Sequence, residues 1–162
     1  MNQLLQTSLL FGALIYAANC SCQTLEQNKE KARLYIEECL NKRKIELVDS
    51  IFADSFQVHV LLDNTQSIST RIALKDFLKT LFDAFPDIHY TVGDIIAEAN
   101  KVAMRVSFSG THKKDFFGIK ANGKKVDYLS EIFFFRFENG KIVEDWVQLD
   151  LYNLFKKMKG EK

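Results

Sequence analysis

The run LFDAFPDIHYTVGDIIAEANKVAMRVSFSGTH, Leu81 to His112, changes its periodicity partway through. On its N-terminal side Leu74, Phe77, Leu78, Leu81, Phe82 and Phe85 recur three and four residues apart, which is one stripe of a helix. Pro86 ends that helix, because a proline ring has no N–H and collides with the preceding turn. From Ile88 the apolar spacing drops to two, so IHYTVGDIIAEA and KVAMRVSFSGTH read as strands joined by a turn at Asn100. Further on, KKVDYLSEIFFFRF and KIVEDWVQLD alternate as well. They are joined through Asn139-Gly140, a pair suited to the positive φ values of a two-residue hairpin turn. Upstream, EQNKEKARLYIEECLNKRK spaces Ala32, Tyr35, Ile36, Cys39 and Leu40 as a helix. IELVDSIFAD follows as a second short helix, and SFQVHVLL as a short strand. LYNLFKKMK closes the chain as a short basic helix. Helices first and a long antiparallel meander second make an α+β arrangement, with the helices packed on one face of the sheet.

The 162 residues suffice for one domain with a modest core. With 22 basic and 21 acidic residues the net charge is +1, so no long-range field draws in nucleic acid, and none is expected as a partner. Fourteen Phe in so small a domain suggest an aromatic core, an aromatic-lined cavity, or both. From Met1 to Leu25 there is no charged side chain, and LLFGALIYAANC is apolar and ends in small residues. That length suits an export signal over residues 1–22 better than a membrane-spanning helix. YAANC also resembles a lipoprotein cleavage box with Cys20 as the lipidated residue, although Asn19 departs from it. The expectation is an exported protein: secreted, periplasmic, or held at the cell envelope with its lipidated N-terminus as the membrane anchor. Cys39 falls on the apolar side of its helix as a small core residue, and no Cys/His spacing suggests a metal site.

Several side chains are candidates for chemistry, each with a plainer alternative. If KIVEDWVQLD alternates regularly, Ile142, Glu144, Trp146, Gln148 and Asp150 share one face. Asp150 then shares a space with Trp146, but it also precedes LYNLFKKMK as an Asp N-cap would. Both readings stand. His112 is in phase with Val102, Met104, Val106 and Phe108, at an apolar mouth or at the start of a surface turn. Glu131 sits within SEIFFFRF; facing inward, it is a costly buried acid that needs a partner or a function. Arg136 has the wrong parity to pair with it unless a neighbouring strand changes the phase. HKKDFFGIKANGKK is either a solvated loop or a lid.

The order of these phrases resembles SnoaL-like polyketide cyclases. The likeness runs from roughly Ala32 to Met158, within a domain spanning 26–158. Its signs are an aromatic-Pro-Asp helix end, a strand ending in Gly-Thr-His, the DFFGIKANGKKV loop, and FRFENGKIVEDWVQLDLYNLF. The resemblance implies the nuclear transport factor 2-like cone and ring closure of a polyketide ester by intramolecular aldol condensation. It also implies that no cofactor is needed, since a proton between two carbonyls gives a delocalised enolate. Carried over, the acid/base aspartate is Asp150, with His112 as a donor or relay. Trp146, Gln148, Phe108 and Glu131 then contact a small hydrophobic or polyketide-like ligand. An envelope binding module with the same pocket and no turnover is the alternative reading. A homo-oligomer, or a cone filled by its own Phe side chains, is compatible with the same pattern.

Overall fold

The computed structural model describes residues 24–60 and 67–161. The export-signal and Cys20 expectations therefore lie outside the described residues. Helix α1 covers residues 24–40, and its last six, Tyr35–Leu40, widen into a π-helical turn. The expected stripe is its buried face, with Ala32, Tyr35, Ile36, Cys39 and Leu40 all inside. Just after it, the Asn41 amide donates to the Tyr90 carbonyl at 2.8 Å and accepts from the Tyr90 N–H at 2.7 Å. This pair ties the helix end to the sheet and fixes the backbone of Tyr90.

A 3-10 turn, Ile45–Leu47, leads into the one-turn helix α2, Val48–Ile51, and then strand β1, Phe52–Val60. The two-residue strand β2, Ser67–Ile68, precedes helix α3, Arg71–Ala84. Thr70 caps α3 by accepting from the Ala73 N–H at 3.2 Å, and Leu74, Leu78, Leu81 and Phe82 form its buried stripe. The meander follows: β3 His89–Glu98, β4 Lys101–Thr111, β5 Lys125–Glu138 and β6 Lys141–Leu149, then α4 Leu151–Lys159. Asn139 and Gly140 both have positive φ, near 50° and 70°, which matches the hairpin reading of Asn-Gly.

The strands form one sheet in the order β2-β1-β6-β5-β4-β3. Every pairing is antiparallel except β1 with β6, where the chain crosses back beside its last strand. Four of the five pairings slip register within the strands. Three of these slips insert one extra residue on one strand, the β1–β6 slip is wider, and each bends its strand, so the sheet curls around the helices instead of lying flat. In β5 the slip falls at Asp127 and Tyr128, opposite Ser109; Tyr128 takes φ near 51° and turns outward. Beyond it Leu129, Glu131, Phe133, Phe135 and Phe137 all point inward. That resolves the phase of the apolar run Ile132–Phe135, half of which faces out.

Two phrases of the opening stretch are in contact. The Asp87 carboxylate accepts from the Thr111 N–H at 2.5 Å and from its hydroxyl at 2.6 Å. Gly110 lies beneath Phe85, where an added Cβ would meet the Phe85 Cβ at 3.2 Å. The Phe-Pro-Asp helix end and the Gly-Thr-His strand end are thus two halves of one joint, closing the helices onto the sheet.

Candidate functional site

Between the concave face of the sheet and α1 and α3 lies a cavity of about 800 Å3, its open mouth included. Its walls are aromatic and aliphatic. Tyr35 and Leu40 come from α1, Leu74 to Leu81 from α3, Tyr90 from β3 and Phe108 from β4. Glu131 and Phe133 come from β5, and Asp145, Val147 and Leu149 from β6. Phe116, Phe117 and α4 border the partly exposed end; Phe117 is 40% exposed, whereas Asp145 is fully buried. The rings brace one another at their edges. Tyr35 and Tyr90 each lie 6.3 Å from Phe133 in T-shaped contacts, and Phe85 meets Phe108 at 5.3 Å and 88°.

Two carboxyl groups face this apolar space. Glu131 and Asp145 are buried, and Glu131 Oε2 and both Asp145 oxygens have no hydrogen-bond partner among the described residues. Burial alone raises the Glu131 pKa to about 8. Asp145 is pushed well above the usual carboxylate range, first by burial and then by the Glu131 charge. Tyr35 and Tyr90 are also raised, chiefly by burial, so both phenols stay protonated. In the β5–β6 ladder Glu131 stands opposite Leu149 and Asp145 opposite Phe135, with the Phe133–Val147 pair between. The two acids are therefore offset along the strands, with Asp145 at the closed end and Glu131 nearer the mouth.

The expected site residues divide between the two faces of the sheet. Phe108 and Glu131 line the cavity. Trp146 and Gln148 do not. Arg136 pairs with Glu144 but Phe137 with Ile142, so Val143 is an extra residue in β6. This bulge reverses the alternation after Ile142 and turns Asp145, Val147 and Leu149 inward. Trp146 instead stacks on His59 across the outer face, at 5.1 Å and 6°, and Gln148 is exposed. Arg136 also lies outside, bonded to Glu144 and Glu138, and leaves Glu131 without a cation.

Asp150 is exposed at the start of α4. It accepts from the Asn153 N–H at 3.0 Å and from the Asn153 side-chain amide at 2.6 Å, which holds its pKa below the usual value. It is the helix cap and does not border the cavity. His112 is fully buried, and its parity with Phe108 is as read, but it stacks on Phe85 at 5.5 Å and is not a lining residue. Burial lowers its pKa and keeps it neutral.

Asp145, Tyr35 and Tyr90 were not singled out by the sequence. Tyr35 belongs to a legible helix stripe, but nothing in KIVEDWVQLD announces the bulge that chooses Asp145 over Glu144. Among the described residues no three His, Cys, Asp or Glu side chains gather as a metal centre would require.

The profile of SnoaL-like polyketide cyclases matches residues 30–158. The chain belongs to this family. Solved structures agree on the fold. A protein of Jannaschia sp. CCS1 assigned as a SnoaL-like polyketide cyclase superposes with a TM-score of 0.77 at 18% identity, over 85% of this chain and 94% of its own. IdmH of Streptomyces antibioticus, assigned as a polyketide cyclase, gives 0.68 at 23% identity, over 82% and 99%. An epoxide hydrolase of M. tuberculosis gives 0.66 at 12% identity, over 84% and 92%. No curated protein matches the sequence. This SnoaL-like chain is thus an α+β cone of the nuclear transport factor 2-like kind.

Proposed function

We propose that this SnoaL-like protein performs cofactor-independent acid/base chemistry on a small hydrophobic, enolisable substrate, with Glu131 and Asp145 as the reacting groups. The observation that carries this is the pair of unpartnered carboxyls facing one apolar cavity. Native proteins rarely bury such groups without a use for them. Glu131, with a pKa of about 8, is a base of useful strength near neutral pH. Asp145, whose pKa burial and the Glu131 charge both raise, serves as the proton donor of the pair.

In an intramolecular aldol closure Glu131 removes the proton between two carbonyls. The enolate carbon then attacks a further, remote carbonyl carbon of the same molecule, whose C=O π pair moves onto oxygen, and the new alkoxide takes the Asp145 proton. Proton exchange through solvent at the mouth returns both acids to their starting states. The apolar walls fold the substrate and exclude competing water. Asp150 has no part in these steps and serves as a cap.

The test is deuterium exchange and ring closure of a β-dicarbonyl substrate. Glu131→Gln should slow both by about 100-fold or more while leaving ligand affinity within a few-fold. Full exchange activity in Glu131→Gln and Asp145→Asn would refute the assignment. Ligand binding without turnover in the wild type would leave a carrier in place of an enzyme. The uncharged leader and Cys20 support an exported, envelope-attached setting, which fatty-acid labelling of wild type against Cys20→Ala would test.

A further inference from the structure

Acid/base chemistry accounts for the presence of two acids in the cone but not for the one-sidedness of its charge. Of the lining residues, Glu131, Asp145, Tyr35 and Tyr90 carry the ionisable side chains, and none is Lys, Arg or His. The three unpartnered oxygens are acceptors: Glu131 Oε2, Asp145 Oδ1 and Asp145 Oδ2. A ketone or ester brings further acceptors. It can take a proton from a carboxylic acid, but it leaves that group's other oxygen unpaired. An ammonium group brings up to three N–H donors and the charge that a buried carboxylate lacks. The rings of Tyr35, Tyr90 and Phe133 border the same space, and their faces attract a cation.

We infer that the cone accepts lipophilic amines, molecules with an apolar body that fills the aromatic walls and a cationic nitrogen held by a buried carboxyl. The inference rests on the cone being a ligand pocket, as proposed above, and not on turnover by Glu131. Anionic ligands are excluded, since none of the described lining residues is a cation to meet them. Among the described residues, Glu131 on β5 and Asp145 on β6 face only the phenols of Tyr35 on α1 and Tyr90 on β3 as other ionisable lining groups. The linings from α3, β1, β4 and α4 are apolar. Amine binding at neutral pH therefore exchanges a carboxyl proton for the ammonium and releases that proton to solvent.

Three probes of one shape separate the possibilities: 4-phenylbutylamine, 4-phenylbutanol and 4-phenylbutyrate. They are titrated calorimetrically into the full chain, in two buffers of different ionisation heat. The amine should bind about tenfold more tightly than the alcohol, with proton release, and the butyrate most weakly. Amine affinity should rise from about pH 6 to about pH 9, below the amine's own titration. In the double variant Glu131→Gln/Asp145→Asn the alcohol should still bind and the amine should lose its advantage and its proton release. Alcohol binding equal to or tighter than amine binding in the wild type overturns the inference and leaves the acid/base pocket standing. An amine preference that survives in the double variant overturns it as well, and binding of none of the three removes both readings.

Discussion

Two aspartates five residues apart meet opposite environments. Asp150 sits in solvent with two hydrogen bonds from Asn153, and those bonds favour its charged form. Asp145 sits in the cone with neither oxygen bonded, and burial disfavours its charge. Asp150→Ala should lower the melting temperature by a few degrees and leave pocket affinities unchanged, as thermal scans beside ligand titrations would show. Asp150→Asn should lose less, because Asn also caps. The cap's contribution is present above the ordinary aspartate pKa and is lost as pH falls through the depressed folded value. An acid-side melting series on wild type and Asp150→Asn checks that sign. The cap was one of two readings open in the sequence; only burial separates it from the other.

The deciding features at the scale of elements are bulges. Without the extra residue at Val143, β6 would carry Trp146 and Gln148 inward in register with Ile142, as regular alternation requires. Deleting Val143 should therefore force either a register slip or an indole into the space now held by Asp145. The expected result is a protein that loses its cooperative melt, read by calorimetry and near-ultraviolet circular dichroism. Gly110 presents a second local constraint, since a Cβ there would press on Phe85, which lines the cavity. Gly110→Ala should cost about 1–3 kcal/mol and weaken ligand binding through the displaced ring. Denaturant titration and probe affinity measure the two effects. The helix stripes, Pro86 and the Asn139-Gly140 turn were all legible, because each is set by neighbours within a few residues. Bulges were not, because a register slip is agreed between two strands and is encoded in neither one.

For the molecule as a whole, the cone stores a cost that pH reveals. Unfolded, Glu131 releases its proton near 4.5; folded, it releases it near 8. Between those values the unfolded chain holds fewer protons, so stability falls as pH rises. The contribution from Glu131 is on the order of 5 kcal/mol, and Asp145 acts in the same direction. Melting temperature should therefore decline from about pH 5 to about pH 8, and Glu131→Gln/Asp145→Asn should flatten that decline and melt higher at the upper end. A wild-type melting temperature that is flat across this range would contradict the burial of both acids.

By itself the sequence determined the main helices and the four-stranded meander, the helix faces, the hairpin turn, the aromatic wealth of the core and the family. These follow from local periodicity, from the special geometry of Pro and Asn-Gly, and from phrases that keep their spacing. Only the tertiary structure decided that the carboxyls of the cone are Glu131 and Asp145, that Trp146 stacks on His59 outside it, and that Asp150 caps a helix. Which face a strand residue takes depends on the register its partners allow, and an acid's strength depends on the solvent those partners exclude.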